Sequence, residues 1–91
     1  MAQSTASARY QHLLDVLLEE RIKQGLLQKD LGSKMGKPQS FISKVERGER
    51  RIDPAELVDI CVALGIDPAE VIQKIAAIPS ENSSSKKLRK R

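Results

Sequence analysis

Gln28-Lys29-Asp30-Leu31-Gly32-Ser33-Lys34-Met35-Gly36-Lys37-Pro38-Gln39-Ser40-Phe41-Ile42-Ser43-Lys44-Val45-Glu46-Arg47-Gly48 holds two short amphipathic segments separated by a glycine and a proline. Leu31 and Met35 stand four apart on the first segment and Ile42 and Val45 three apart on the second, the spacings of a single helical face. Gly36 suits the left-handed residue that ends a helix, and Pro38 fixes φ where the next helix can start. The pattern predicts helices over 28–35 and 39–47, the second closed by Gly48. Helices this short bury too little surface to stand alone, so the rest of the chain must supply a platform. With Ile42 and Val45 turned toward that platform, Gln39, Ser40, Ser43, Lys44 and Arg47 point away from it.

That outward row consists of amide, hydroxyl and cationic groups. These side chains donate to and accept from base edges, glutamine pairing with adenine and lysine with guanine. A merely solvated face would more often carry glutamates and charge pairs at i, i+4. The charge distribution agrees. From Gln28 to Arg51 the chain holds Lys29, Lys34, Lys37, Lys44, Arg47, Arg50 and Arg51 against Asp30, Glu46 and Glu49, whereas the flanking helical stretches 9–27 and 52–78 together hold four basic and eight acidic residues. A concentrated positive segment on an otherwise unattractive body is the footprint of a polyanion binder.

The platform is readable on both sides. Tyr10, Leu13, Leu14, Leu17, Leu18 and Ile22 recur at three- and four-residue spacings and predict a helix over 8–24, ended by Gly25. Ile52-Asp53-Pro54-Ala55-Glu56 reads as a helix start, with Asp53 as cap, Pro54 in the first turn and Glu56 completing a capping box. Leu57, Ile60, Cys61 and Leu64 continue it over 54–64. Asp67-Pro68-Ala69-Glu70 repeats the device for a helix over 68–77. The expectation is an all-α, five-helix domain over 8–78, with a flexible segment at 1–7 and a disordered, Ser-rich and then basic tail at 79–91. Ninety-one residues with 40% apolar content suffice for one core and not two.

Catalysis and metal binding find little support. His12 is the lone histidine, Cys61 the lone cysteine, and Asp53, Glu56, Asp67 and Glu70 are accounted for as helix caps. No cofactor is expected and the chain is not expected to be an enzyme. One unpaired cysteine suits a reducing cytoplasm. No stretch approaches the roughly 18 apolar residues of a membrane span, and residues 1–8 lack the features of a secretion signal.

The residues from Arg21 through Gln28, Leu31, Gly36, Gln39, Ser40, Ile42 and Glu46 to Gly48, closed by Leu64-Gly65-Ile66, resemble the Cro/CI-type (Xre family) helix-turn-helix repressors over about residues 9–72. The resemblance implies a lambda-repressor-like fold and double-stranded DNA as partner. By that likeness Gln28 would bond a phosphate and support Gln39, which would read a base, adenine above all. Ser40, Ser43 and Lys44 would supply further groove contacts, while Lys29, Lys37, Arg47 and Arg50 would hold phosphates. Arg21 and Glu46 would form a partly buried structural ion pair. Two departures stand out: Leu27 replaces the usual Ser or Thr cap, and Gly32 the usual Ala. The glycine costs about 1 kcal/mol in a helix interior but permits closer approach of the next helix. Phe41 stays open between the core edge and a thymine methyl.

The apolar arc of the fifth helix is wider than one core needs, so Ile72 and Ala76, with part of the fourth helix, are expected to meet a symmetry mate on a palindromic operator. The tail Lys86-Lys87-Leu88-Arg89-Lys90-Arg91 is either a solvated run or an arm adding phosphate contacts. A rival reading makes the chain an interaction module, an antitoxin or adaptor whose main ligand is a partner protein. That rival expects apolar or acidic residues at 39, 40, 43 and 44, where Gln, Ser, Ser and Lys stand.

Overall fold

The computed structural model describes residues 7–79, which form α1 (Ala8–Lys23), α2 (Gln28–Met35), α3 (Gln39–Glu46), α4 (Pro54–Leu64) and α5 (Pro68–Ala76). The predicted ends at 24, 47 and 77 prove to be C-cap residues one step beyond each helix. Both terminal segments lie outside the described residues except for Ser7 and Pro79. Ser7, placed by the sequence reading in the leading segment, caps α1: its hydroxyl accepts from the Tyr10 amide at 3.1 Å.

A single aliphatic core joins Leu13, Leu14 and Leu17 of α1, Leu31 of α2, Phe41, Ile42 and Val45 of α3, Leu57, Ile60, Cys61 and Leu64 of α4, and Val71 of α5. α2 packs on α3 and α4, while α1 packs on α3, α4 and α5. Two expected members of the α1 stripe stand outside this core: Leu18 is half-buried, and Ile22 is 60% exposed. Helix geometry gives the reason for Ile22. Four residues beyond Leu17 comes Arg21, and Ile22 lies a further 100° or so around the axis. The inward position of the last turn therefore belongs to an arginine.

Polar clasps hold the platform together. Gln24 Nε2 donates to the Leu64 carbonyl at 2.6 Å, joining the ends of α1 and α4. Arg9 Nε donates to the Ile78 carbonyl at 2.8 Å, joining the start of α1 to the end of α5. The α4 capping box is reciprocal: Asp53 Oδ1 accepts from the Glu56 amide at 2.7 Å, and Glu56 Oε1 accepts from the Asp53 amide at 3.0 Å. In α5 the repeat of the motif is only partial. Asp67 accepts from the Ala69 amide, and Glu70 stays exposed.

Candidate nucleic-acid interface

The turn between α2 and α3 aims the candidate surface. Gly36 takes φ +71°, a conformation that glycine adopts without steric cost. The Lys37 amide then donates back to the Gly32 carbonyl at 2.8 Å. At Gly32 the backbones nearly touch, since a Cβ there would lie 2.6 Å from the Lys37 carbonyl oxygen. The departure from alanine thus coincides with a close crossing of α3 over α2. At Leu27 there is no side-chain acceptor for the α2 amides, and Asp30 Oδ2 instead accepts from the Leu27 amide at 2.8 Å.

α3 buries Phe41, Ile42 and Val45 and exposes Gln39, Ser40, Lys44 and the C-cap Arg47, with Ser43 half-buried beside them. Gln39 does not stand alone. Its Nε2 donates to Gln28 Oε1 at 2.8 Å, and Gln28 Nε2 donates to Glu46 Oε1 at 2.8 Å. Glu46 is in turn gripped by Arg21, whose Nε donates to Oε2 at 2.6 Å and Nη2 to Oε1 at 3.1 Å. Arg21 Nη1 is satisfied by the Leu26 carbonyl at 2.7 Å. The ion pair therefore joins α1 to α3, and its charges are largely removed from water, where such bonds gain strength. Arg21, Leu27, Gln28, Lys29 and Gln39 line one open cleft.

The two arginines expected to hold phosphates have carboxylate partners within the chain. Arg47 donates to both oxygens of Glu49 at 3.0 Å and to Ser43 Oγ at 2.6 Å. The hydrogen bond from Arg47, ahead of its charge, holds the Glu49 carboxyl below the usual carboxylate range, and Arg47 is raised in return. Arg50 donates to both oxygens of Glu56 at 2.9 Å, which lowers the Glu56 carboxyl and raises Arg50. Arg50 also lies over the Phe41 ring at 4.7 Å, with Lys37 Nζ 5.2 Å from the same centroid. Buried and flanked by cations, Phe41 belongs to the edge of the core and is not presented to a thymine methyl.

Lys29 and Lys37 are exposed, Lys29 at the cleft it lines with Gln28 and Gln39, and Lys37 over the Phe41 ring that Arg50 also covers. Ile72 and Ala76 are exposed on α5, outside this group. Sequence reasoning missed Glu49 and Glu56 as arginine partners. Arg47 and Glu49 stand two apart in a turn and Arg50 and Glu56 six apart across a helix start, spacings with no general pairing rule.

Two short helices set at a glycine turn, the second turning a polar face outward above a buried anchor, define a helix-turn-helix domain. The HTH_3 helix-turn-helix family model matches residues 17–77, and the chain belongs to that family. An XRE-family like protein from Pseudomonas syringae is 49% identical with a TM-score of 0.75, over 78% of this chain and 87% of that one. The restriction-modification controller protein C.AhdI from Aeromonas hydrophila is 31% identical with a TM-score of 0.64, over 70% and 97% of the two chains. The clp gene regulator ClgR from Corynebacterium glutamicum is 25% identical with a TM-score of 0.66, over 75% and 88%. No curated protein matches. The chain is an Xre-family DNA-binding transcription regulator with the all-α, lambda-repressor-like fold expected from its sequence.

Proposed function

We propose that this protein is a sequence-specific repressor that binds a palindromic operator as a homodimer, with α3 in the major groove. The carrying observation is the α3 face on which Gln39, Ser40 and Lys44 are exposed above buried Phe41, Ile42 and Val45. In this reading Gln39 contacts adenine, Ser40, Ser43 and Lys44 supply further base-edge and backbone contacts, and Gln28, Lys29, Lys37, Arg47 and Arg50 position phosphates. The activity is binding and not catalysis, and the site of action is the cytoplasm. Among the described residues no helix is long and apolar enough to cross a membrane.

Ile72, 45% exposed, and Ala76 support the dimer, together with Val58 and Val62 on the outer side of α4. A twofold pair would set the recognition helices about 34 Å apart, one turn of duplex. Selection of bound sequences from a random duplex pool tests the whole reading. The expected product is a palindrome with half-sites one helical turn apart, and sedimentation of the protein with that duplex should give two chains per site. On it Gln39→Ala should cost about 1–3 kcal/mol and almost nothing on random DNA, while Arg47→Ala should weaken both alike. No enriched motif, or a monomer on an asymmetric site, would overturn the proposal.

A further inference from the structure

We propose that the Arg21–Glu46 ion pair, acting through Gln28, fixes which way round the Gln39 amide faces, making Glu46 a positioning residue for base readout. This rests on the DNA-reading role of Gln39 and adds the device that sets its preference. A glutamine amide has a donor side and an acceptor side of nearly equal shape, so either orientation fits the same space. A neighbour that can only accept or only donate must choose between them.

Glu46 is that neighbour, because a carboxylate only accepts. Its Oε2 takes Arg21 Nε at 2.6 Å, and its Oε1 takes Arg21 Nη2 at 3.1 Å and Gln28 Nε2 at 2.8 Å. Gln28 must therefore turn its NH₂ inward and its Oε1 outward. That oxygen accepts from Gln39 Nε2 at 2.8 Å. Gln39 keeps its Oε1 and a single N–H for any ligand. One acceptor beside one donor matches the N6–H and N7 edge of adenine, whereas guanine offers two acceptors there, O6 and N7.

The order is set at the drier end of the chain, where the Arg21 and Glu46 side chains are 11% and 14% exposed, and is delivered at exposed Gln39. Reversal of Gln28 would have the opposite effect. Its NH₂ would donate to Gln39 Oε1, both N–H groups of Gln39 would be freed, and guanine would become acceptable. The charge of Glu46 forbids that reversal, since an outward NH₂ would set Gln28 Oε1 against the carboxylate.

The experiment compares the full chain with its Glu46→Gln and Gln28→Leu variants by selection from a random duplex pool, with thermal unfolding alongside. The unmodified chain should prefer adenine over guanine at one position per half-site by about ten- to a hundredfold. Glu46→Gln, whose amide can donate or accept, should bring that ratio below about threefold while the other positions keep theirs. Gln28→Leu leaves the ion pair in place, so it tests the relay even where Glu46→Gln fails to fold, and should erode the same position. Unchanged adenine preference in the variants, or equal erosion at every position as a merely structural role requires, would overturn the proposal. Side-chain amide exchange by NMR in the DNA-free protein separates the relay from the function. One Gln39 Nε2 proton should be protected, and lose protection in Gln28→Leu. Two equally exchanging protons in the unmodified chain would refute the relay, whereas a protected proton without any selected motif would refute the DNA reading of Gln39.

Discussion

Replacing Gly32 by alanine sets two effects of opposite sign against each other. Helix propensity alone favours alanine by about 1 kcal/mol at an interior position. The turn opposes it, because the new Cβ would lie 2.6 Å from the Lys37 carbonyl oxygen and 3.3 Å from that of Pro38. Carbon and oxygen rest no closer than about 3.3 Å, so the Lys37 carbonyl must retreat by roughly 0.7 Å. It is backbone and cannot swing aside like the tip of a side chain. Its own residue is also held by the 2.8 Å bond from the Lys37 amide to the Gly32 carbonyl. Overpacking of this kind costs about 1–3 kcal/mol, and a backbone partner that cannot swing aside puts this site in the upper half of that range, so the expected net destabilisation is about 1–2 kcal/mol. For a domain of this size that lowers Tm by about 4–16 °C. Urea unfolding followed by circular dichroism should show a lower midpoint at unchanged slope. A variant equal to or more stable than the parent would refute the reasoning, since α3 would then not depend on the missing Cβ.

Leu27→Thr should act in the other direction: Leu27 is 58% exposed and supplies no cap, so a hydroxyl acceptor there should add about 1 kcal/mol, read as a higher Tm. An unchanged or lower Tm would mean that the α2 amides already have adequate partners in water. Cys61 has no solvent exposure, and burial, followed by the charge of Asp67, pushes its thiol above the usual range. A thiol-specific disulfide reagent should modify it only as fast as the domain unfolds, and prompt labelling of the native protein would contradict this packing. Acid should weaken the fold through Glu49 and Glu56, both lowered first of all by hydrogen bonds from Arg47 and Arg50. A carboxyl depressed in the folded state stabilises above its unfolded pKa of about 4.3 and loses that contribution as pH falls through the folded value. The urea midpoint should therefore hold from neutrality to mild acid and decline below, less steeply in Glu56→Gln. A decline already complete above the ordinary carboxylate range would count against these pairs.

Local rules carried most of the architecture. Gly36 and Gly65 mark helix ends because their left-handed φ can be read from residue type, and Asp53-Pro54 marks a start because cap and first-turn chemistry sit side by side. The misplacement of Ile22 came from counting apolar residues alone. Arg21 holds the inward position, and only its partner Glu46, twenty-five residues away, makes a charge tolerable there. Phe41 was undecidable for a similar reason, since Lys37 and Arg50, which cover its ring, come from opposite sides of α3. The half-made cap of α5 has no such distant cause: Asp67 spends its acceptor on the Ala69 amide, one residue short of the box. Periodicity could place Gln28, Gln39 and Glu46 on their helices but not within bonding distance of one another, which required the turn that Gly32 permits.

The seven basic residues between 28 and 51 are not equivalent, and on the proposed interface their differences would divide the labour of binding. Arg47 and Arg50 are each clasped bidentately by a carboxylate, so a phosphate that takes either must displace Glu49 or Glu56. What such an arginine adds to a complex is the difference between two charge-assisted pairs, small in energy but fixed in place. Lys29, Lys34 and Lys44 make no ion pair among the described residues and stand exposed in water. Their charge is available at long range, where it draws the duplex in and releases its counterions whatever the sequence. On the proposed interface, then, the lysines supply attraction and its salt dependence, the clasped arginines supply register, and the uncharged Gln39 amide decides between bases. Such a division would let affinity and specificity change separately, because the hydrogen bonds that join Arg21, Glu46, Gln28 and Gln39 involve none of these lysines.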